Sequence, residues 1–283
     1  MTTLNPAKLS QARPPAVAAA KSPDTVSALD RGLSLLQCFT PVRRSLSAAD
    51  LARISGIPRP TVIRLAATLA QHGWLQADAA GERFGLGAAA VSVARTFLSG
   101  LDVRAVARGP MQQLADATGG SVYLAVRDGL EMVLIEACKA QNTMLSARLD
   151  VGSRIPLPNS ALGRAYLAHL ASPERDGLVA SLRLTRGSEW AALDAGLQSA
   201  LAQHAQCGYC VSAGEFHAEI NSVSVAAQDP QGQVMSFNCG GPAFQFSTQR
   251  LHSEVAPALQ AMVATITAQI GGNLRAPSES AKP

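Results

Sequence analysis

The segment from Ser47 to His72 constrains this chain more than any other. Ser47-Ala-Ala-Asp50 has the spacing of a capping box, in which a hydroxyl and a carboxylate three residues apart satisfy amides at a helix start. Leu51 and Ile54 follow at helical spacing, and Gly56 ends that short helix. After the Gly-Ile-Pro turn, Pro60 suits the first turn of a second helix, where its missing N–H costs nothing. Val62, Leu65 and Leu69 mark the buried stripe of this second helix until Gly73 stops it. The pattern is a helix-turn-helix.

Its neighbours extend it. Ser27-Ala-Leu-Asp30 repeats the capping spacing, with Val26, Leu29, Leu33 and Leu36 recurring at helical period, so a helix precedes the pair. Trp74 to Ala77 and Arg83 to Leu86 read as two short strands around the turn at Asp78 to Glu82. Three helices and a hairpin make a winged module. With the apolar stripe inward, a rotation of 100° per residue sets Pro60, Arg64, Ala67 and Thr68 on the opposite face, with Thr61 at its edge and Arg59 at the helix start. Arg64 can donate a bidentate pair to a guanine edge, Thr61 and Thr68 can bond bases or phosphates, and the helix start near Arg59 favours a phosphate. Arg43, Arg44 and Arg83 are candidate backbone clamps. Any one surface arginine is ordinarily just solvated; the combination points to double-stranded DNA.

Charge agrees with that partner once it is divided. The net +4 hides 11 Lys/Arg against 5 Asp/Glu in residues 1 to 100, and 13 against 15 beyond. A basic head therefore precedes a slightly acidic body. No apolar run reaches the roughly 18 residues of a membrane helix, and Ala16 to Ala20 is too short for a secretory signal, so the cytoplasm is the expected compartment. Five scattered cysteines suggest no disulfide framework.

The chain reads as a disordered tail at 1–23, the winged module at 24–86, a connecting helix at 87–100, a mixed body at 101–270 and a second disordered tail at 271–283. In the connector, Val91, Ala94 and Leu98 could pack on a partner helix or on their own domain. In the body a helix to Thr118 precedes strands at Ser121 to Arg127 and Leu130 to Ala137 around Asp128-Gly129, a strong hairpin signal. A strand near Met144 to Leu149, a loop through Gly152 to Pro158, and helices from Ser160, Pro173 and Glu189 follow. Strands at Asn221 to Gln228 and Gln233 to Cys239 flank another turn, and a long helix starts at Ser247. The fold class is α+β around an antiparallel sheet. In the last hairpin Ser222 and Ser224 oppose Val223 and Val225, while Ser236 and Asn238 oppose Phe237 and Cys239. The polar face meets either water or a pocket.

Val26-Ser-Ala-Leu-Asp-Arg-Gly-Leu-Ser-Leu-Leu36, Leu51-Ala-Arg-Ile-Ser-Gly-Ile-Pro58 and Arg59-Pro-Thr-Val-Ile-Arg-Leu65 resemble the head of the isocitrate-lyase-regulator (IclR) family of bacterial repressors and activators. Gly163-Arg-Ala-Tyr-Leu-Ala168, Gly208-Tyr209 and Gly240-Gly-Pro242 continue the resemblance over roughly residues 25 to 270. Pro60 departs from the small polar residue expected there. The resemblance implies a GAF-like second domain that binds a small organic or aromatic acid, and a homodimer or homotetramer reading an inverted repeat in operator DNA. It places Ser222, Asn238 and Gly240 in the pocket. Ser160, Ala161 and Leu162 begin a helix whose free amides and positive dipole end can hold a carboxylate without an arginine. Met144, Leu149 and Ile220 would supply apolar wall or ordinary core. Ser212 falls where some relatives carry an acidic residue near the ligand, so that end of the pocket is either less charged or uses Glu215.

Cys207-Gly-Tyr-Cys210 has the spacing of a redox dithiol but follows a helix instead of opening one, and His217-Ala-Glu219 lies on the wrong side of it for a deaminase zinc site. No metal, cofactor or catalytic residue is expected. The alternative reading is a small-acid-binding enzyme or sensor whose winged helix serves interaction.

Overall fold

The computed structural model describes residues 25–140 and 149–274. The chain divides after Gly100 into two compact units. In the first, α1 (Ser27–Leu36), α2 (Ala48–Ser55) and α3 (Arg59–Gln71) pack around Leu35, Leu51, Val62 and Ala66, all fully buried. Ser47 caps α2 as its sequence requires. Its hydroxyl accepts from the Asp50 amide at 3.1 Å, and the Asp50 carboxylate accepts the Ser47 amide at 3.2 Å. At α1 the expected box does not form: Val26 is the N-cap and makes no side-chain bond, so Ser27 lies inside the helix. Rotation of α1 buries Gly32 and Leu35 and leaves Val26, Leu29 and Leu33 exposed.

The wing has one strand more than its sequence suggests. β1 (Leu46–Ser47) pairs with β3 (Arg83–Leu86), which pairs with β2 (Leu75–Ala77). Two residues are too few to show alternation, so β1 is legible only from its partner. The turn is tied by the Asp78 carboxylate, which accepts the amides of Glu82 and Arg83. Beyond it, Gly87 donates to the Trp74 carbonyl at 2.8 Å and Ala89 to the Gly73 carbonyl at 3.2 Å, docking the start of α4 (Ala89–Ser99) onto the end of α3. A Cβ on Gly87 would stand 2.0 Å from the Gly73 carbonyl oxygen, so only glycine allows this approach. No residue of α4 is buried.

In the second unit α5 (Asp102–Thr118) precedes β4 (Ser121–Asp128) and β5 (Glu131–Lys139), a hairpin turning at Gly129 with φ +62°. Three corrections to the sequence reading follow. The loop expected through Gly152 to Pro158 contains a strand, β6 (Arg154–Pro156), on the edge of β5. Cys210–His217, assigned no structure from its sequence, is strand β7, and Gly271 to Leu274 is not tail, since β10 (Asn273–Leu274) pairs with the end of β8 (Ile220–Gln228). Residues 141–148, most of the strand expected near Met144, lie outside the described residues, and Leu149 is in a loop. With β9 (Val234–Pro242) the strands form one antiparallel sheet in the order β10-β8-β9-β4-β5-β6, with β7 beside β8.

The sheet is covered on both faces. One face, carrying Val122, Leu124, Val223, Val225 and Phe237, lies under α5 and α10 (Ala256–Ile270); α9 (Thr248–Arg250) and a π turn lead into α10. The other lies under α6 (Ala161–His169), itself backed by α8 (Trp190–Cys207); α7 (Ser172–Arg186) joins the two. Registers Ser222↔Gly240, Ser224↔Asn238 and Ser121↔Gly240 put the polar residues of β4, β8 and β9 on the α6 face. Ser121, Ser224, Ser236 and Asn238 are buried and Ser222 is half-buried, which decides against the solvent-facing reading.

Candidate nucleic-acid interface and effector pocket

On α3 the apolar period drives Val62 and Ala66 into the core, and the opposite face carries Arg59, Pro60, Arg64, Ala67 and Thr68, all exposed, with Thr61 half-buried. Among the described residues none of Arg43, Arg44, Arg59, Arg64 or Arg83 is in an ion pair, whereas Arg53 on α2 is held by Asp50 at 3.0 Å. Three neighbouring groups are already engaged. Arg83 donates to the Ser45 hydroxyl and carbonyl at 3.0 and 2.6 Å, Arg44 to the Pro41 carbonyl at 2.8 Å, and the Thr68 hydroxyl to the Arg64 carbonyl of its own helix at 3.1 Å. The helix start is also poorer in donors than its sequence suggests. The Thr61 and Val62 amides both turn back to the Pro58 carbonyl and Pro60 has no N–H, which leaves the Arg59 amide as the first-turn donor for a phosphate.

The second unit holds a cavity of about 40 Å³ where α6 begins above the polar face of the sheet. Its wall includes Leu149, Ser160, Ala161, Leu162, Ile220, Ser222, Asn238 and Gly240, all singled out from sequence. Met144 lies outside the described residues. Ser212 does not reach the cavity, because its hydroxyl donates to the Asn159 carbonyl at 3.0 Å. Glu215 is likewise committed elsewhere, its carboxylate gripped by Arg164. Ser121, Tyr123, Ile155, Phe216 and Gly241 complete the wall and were not foreseen. Ser121 and Tyr123 share the strand parity of the buried polar face, which was the available signal. Phe216 lies on the strand whose alternation is broken.

Ser160 is the N-cap of α6, accepting the Gly163 amide at 3.0 Å and donating to the Pro156 carbonyl at 2.5 Å. The following amides, Ala161 and Leu162, have no acceptor within the helix and sit at the cavity with the positive dipole end. Asn238 is oriented by bonds from its amide nitrogen to the Val223 carbonyl and Ser224 hydroxyl at 3.2 and 2.9 Å. Burial pushes the Tyr123 phenol up, so at neutral pH it is a protonated donor. Among the described residues no lysine, arginine or histidine lines the space. A Cβ on Gly240 would come within 2.4 Å of the Ser222 Cβ, so glycine is needed for the strands to meet beneath the cavity. Among the described residues no group of acidic, histidine and cysteine side chains could hold a metal ion.

Two family models match the chain: the IclR helix-turn-helix domain over residues 28–79, and the bacterial transcriptional regulator IclR C-terminal domain over residues 95–268. The chain belongs to the IclR family. It is 30% identical, over 87% of its length and 88% of the relative's, to the HTH-type transcriptional regulator TsaQ1/TsaQ2 of Comamonas testosteroni. The solved IclR-family regulator of Brucella abortus superposes with a TM-score of 0.81 at 34% identity, covering 95% of this chain and all of that one. An IclR homolog from Microbacterium hydrocarbonoxydans, solved in complex with 4-hydroxybenzoate, shares the fold with a TM-score of 0.70 at 21% identity over 87% of this chain and 99% of its own. An IclR-family chain of this organisation is a DNA-binding transcriptional regulator with a C-terminal ligand-binding domain, and its named relatives are regulators, not enzymes.

Proposed function

We propose that this regulator binds operator DNA as a symmetric pair of heads and that a small carboxylate held at the start of α6 alters that binding. The carrying observation is the cavity, where the Ala161 and Leu162 amides at the helix start and a protonated tyrosine converge beside Ser160 and Asn238, whose own protons are bonded within the wall, with no cationic side chain among the described residues. Such a site favours an anion small enough to be held by neutral donors and a helix dipole. The 4-hydroxybenzoate complex supports an acid as the ligand class at the level of the fold. Pairing is supported by the exposed apolar row Val26, Leu29 and Leu33 on α1, and by Val91, Val93 and Phe97 on α4, half to two-thirds exposed in the single chain. A two-fold pair of heads would read an inverted repeat, each presenting α3 to a major groove.

The ligand shifts operator affinity only by as much as it prefers one arrangement of the bodies over another. The test combines a thermal-shift screen of carboxylic acids with anisotropy titrations, at fixed salt, of DNA from upstream of the regulator's own gene. A bound acid should raise the melting temperature and change operator affinity, and Asn238→Leu should abolish both effects. Acid binding that survives Asn238→Leu, or that leaves DNA affinity unchanged, would overturn the reading.

A further inference from the structure

Strand β7 pairs with β8 from Cys210 to Ala213 and again at His217, but between these points the register breaks. Gly214 turns there with φ +71°, and Glu215 and Phe216 bulge out of the ladder. The two bulged residues go to different places. The Glu215 carboxylate is held by both terminal nitrogens of Arg164 at 2.5 and 2.6 Å, and its backbone carbonyl accepts from the Asn159 side chain at 3.1 Å. Phe216, the next residue, forms part of the cavity wall.

The grip on Glu215 is itself rigid. Arg164 is 3% exposed, rises from the second turn of α6, and also donates to the carbonyls of Pro158 and Val211 at 2.9 and 3.3 Å. A Cβ on Gly196 of α8 would stand 2.5 Å from the Arg164 Nη2 and 2.8 Å from the Glu215 Oε1, so α8 closes over the pair. One arginine therefore ties the lead-in to α6, whose amides face the cavity, to the bulge that carries Phe216.

We infer that Phe216 sets the size of acid this pocket admits, and that the Arg164–Glu215 pair is the positioning device that keeps it against the cavity. The inference rests on the reading of the cavity as the effector site. Its volume of about 40 Å³ is room for roughly three waters, since one occupies roughly 10–15 Å³ on this measure. A short aliphatic acid fits with small adjustment. A benzoate ring requires a wall to withdraw, and the bulge is the wall segment that is out of register with its sheet.

The test is calorimetric titration of acetate, butyrate and benzoate into the full-length chain, its Phe216→Leu and Phe216→Ala variants, and Glu215→Gln. The wild-type chain should bind one of the aliphatic acids at least tenfold more tightly than benzoate. Phe216→Ala should gain at least tenfold for benzoate relative to acetate, and Phe216→Leu, which keeps an apolar side chain if the alanine variant does not fold, should move the same way by less. Glu215→Gln removes no atom of the cavity wall yet should also relax the size ranking, which a merely structural role would leave unchanged. A wild-type preference for benzoate, or a ranking unmoved in the Phe216 variants, overturns the inference while the carboxylate pocket stands; a ranking unmoved in Glu215→Gln overturns the positioning role. If no acid binds any of the proteins, the pocket reading fails and the inference falls with it.

Discussion

Ser47 and Asp50 do more than start a helix, because α2 fixes the turn from which α3 projects. The Ser47 hydroxyl bond, then that of Arg53, holds the Asp50 carboxyl down at about 2, against an ordinary 3.8. A depressed folded value means the box stabilises the head above about pH 4 and is lost as pH falls towards 2. An NMR titration of the Asp50 side chain should follow that transition, and Ser47→Ala should cost the head about 1 kcal/mol in denaturant melts while raising the Asp50 value part of the way back, since Arg53 still holds it down. Arg64 is argued from the opposite condition: it is exposed, outside any ion pair among the described residues, and central on the outer face of α3. Arg64→Ala should weaken specific operator binding by about 1–3 kcal/mol and relax specificity at one base pair. A uniform loss over all sequences would mark it as a phosphate contact instead. Arg83, tied to Ser45, should matter less.

At the scale of elements, α6 is the part on which the pocket depends, and its seat is tight. A Cβ on Gly163 would stand 2.3 Å from both the Cα and the carbonyl oxygen of Leu157, and backbone cannot give way as a flexible side chain can. Gly163→Ala should therefore destabilise the second unit by about 1–3 kcal/mol and abolish acid binding, read as a lower melting temperature that no carboxylate restores. Elements with an uninterrupted local signal were legible from sequence: the capped α2, the Pro-started α3, the Asp-Gly hairpin and the alternating β8–β9 pair. Those that depend on a partner were not. β1, β6 and β10 are two or three residues long and exist because a longer strand beside them offers an open edge. β7 was hidden by its own bulge, since Gly214 and Glu215 interrupt the alternation that marks a strand. The same interruption hid Phe216 from the pocket. Ser212 misled for a related reason: strand parity puts it on the right face, but the Asn159 carbonyl takes its hydroxyl first.

On the scale of the whole molecule, the two units present different chemistry among the described residues: a head with arginines outside any ion pair, and a body whose cavity is lined by no charged side chain. DNA affinity should accordingly fall steeply with salt, whereas the proposed acid binding, which would rely on short contacts to neutral donors, should fall much less. Parallel titrations at low and high salt compare the two slopes. The contact between Gly87 and Gly73 gives the head one further property. Because α4 is pinned to the end of α3 by backbone against backbone, with no side chain between them to yield, the two helices should turn together as a crank and its shaft. A twist applied to α4 should be delivered to the outer face of α3 instead of being absorbed at the joint. Gly87→Ala should loosen that joint, leaving acid binding intact while the acid loses its hold over operator affinity, as a steering column turns freely once its key is sheared.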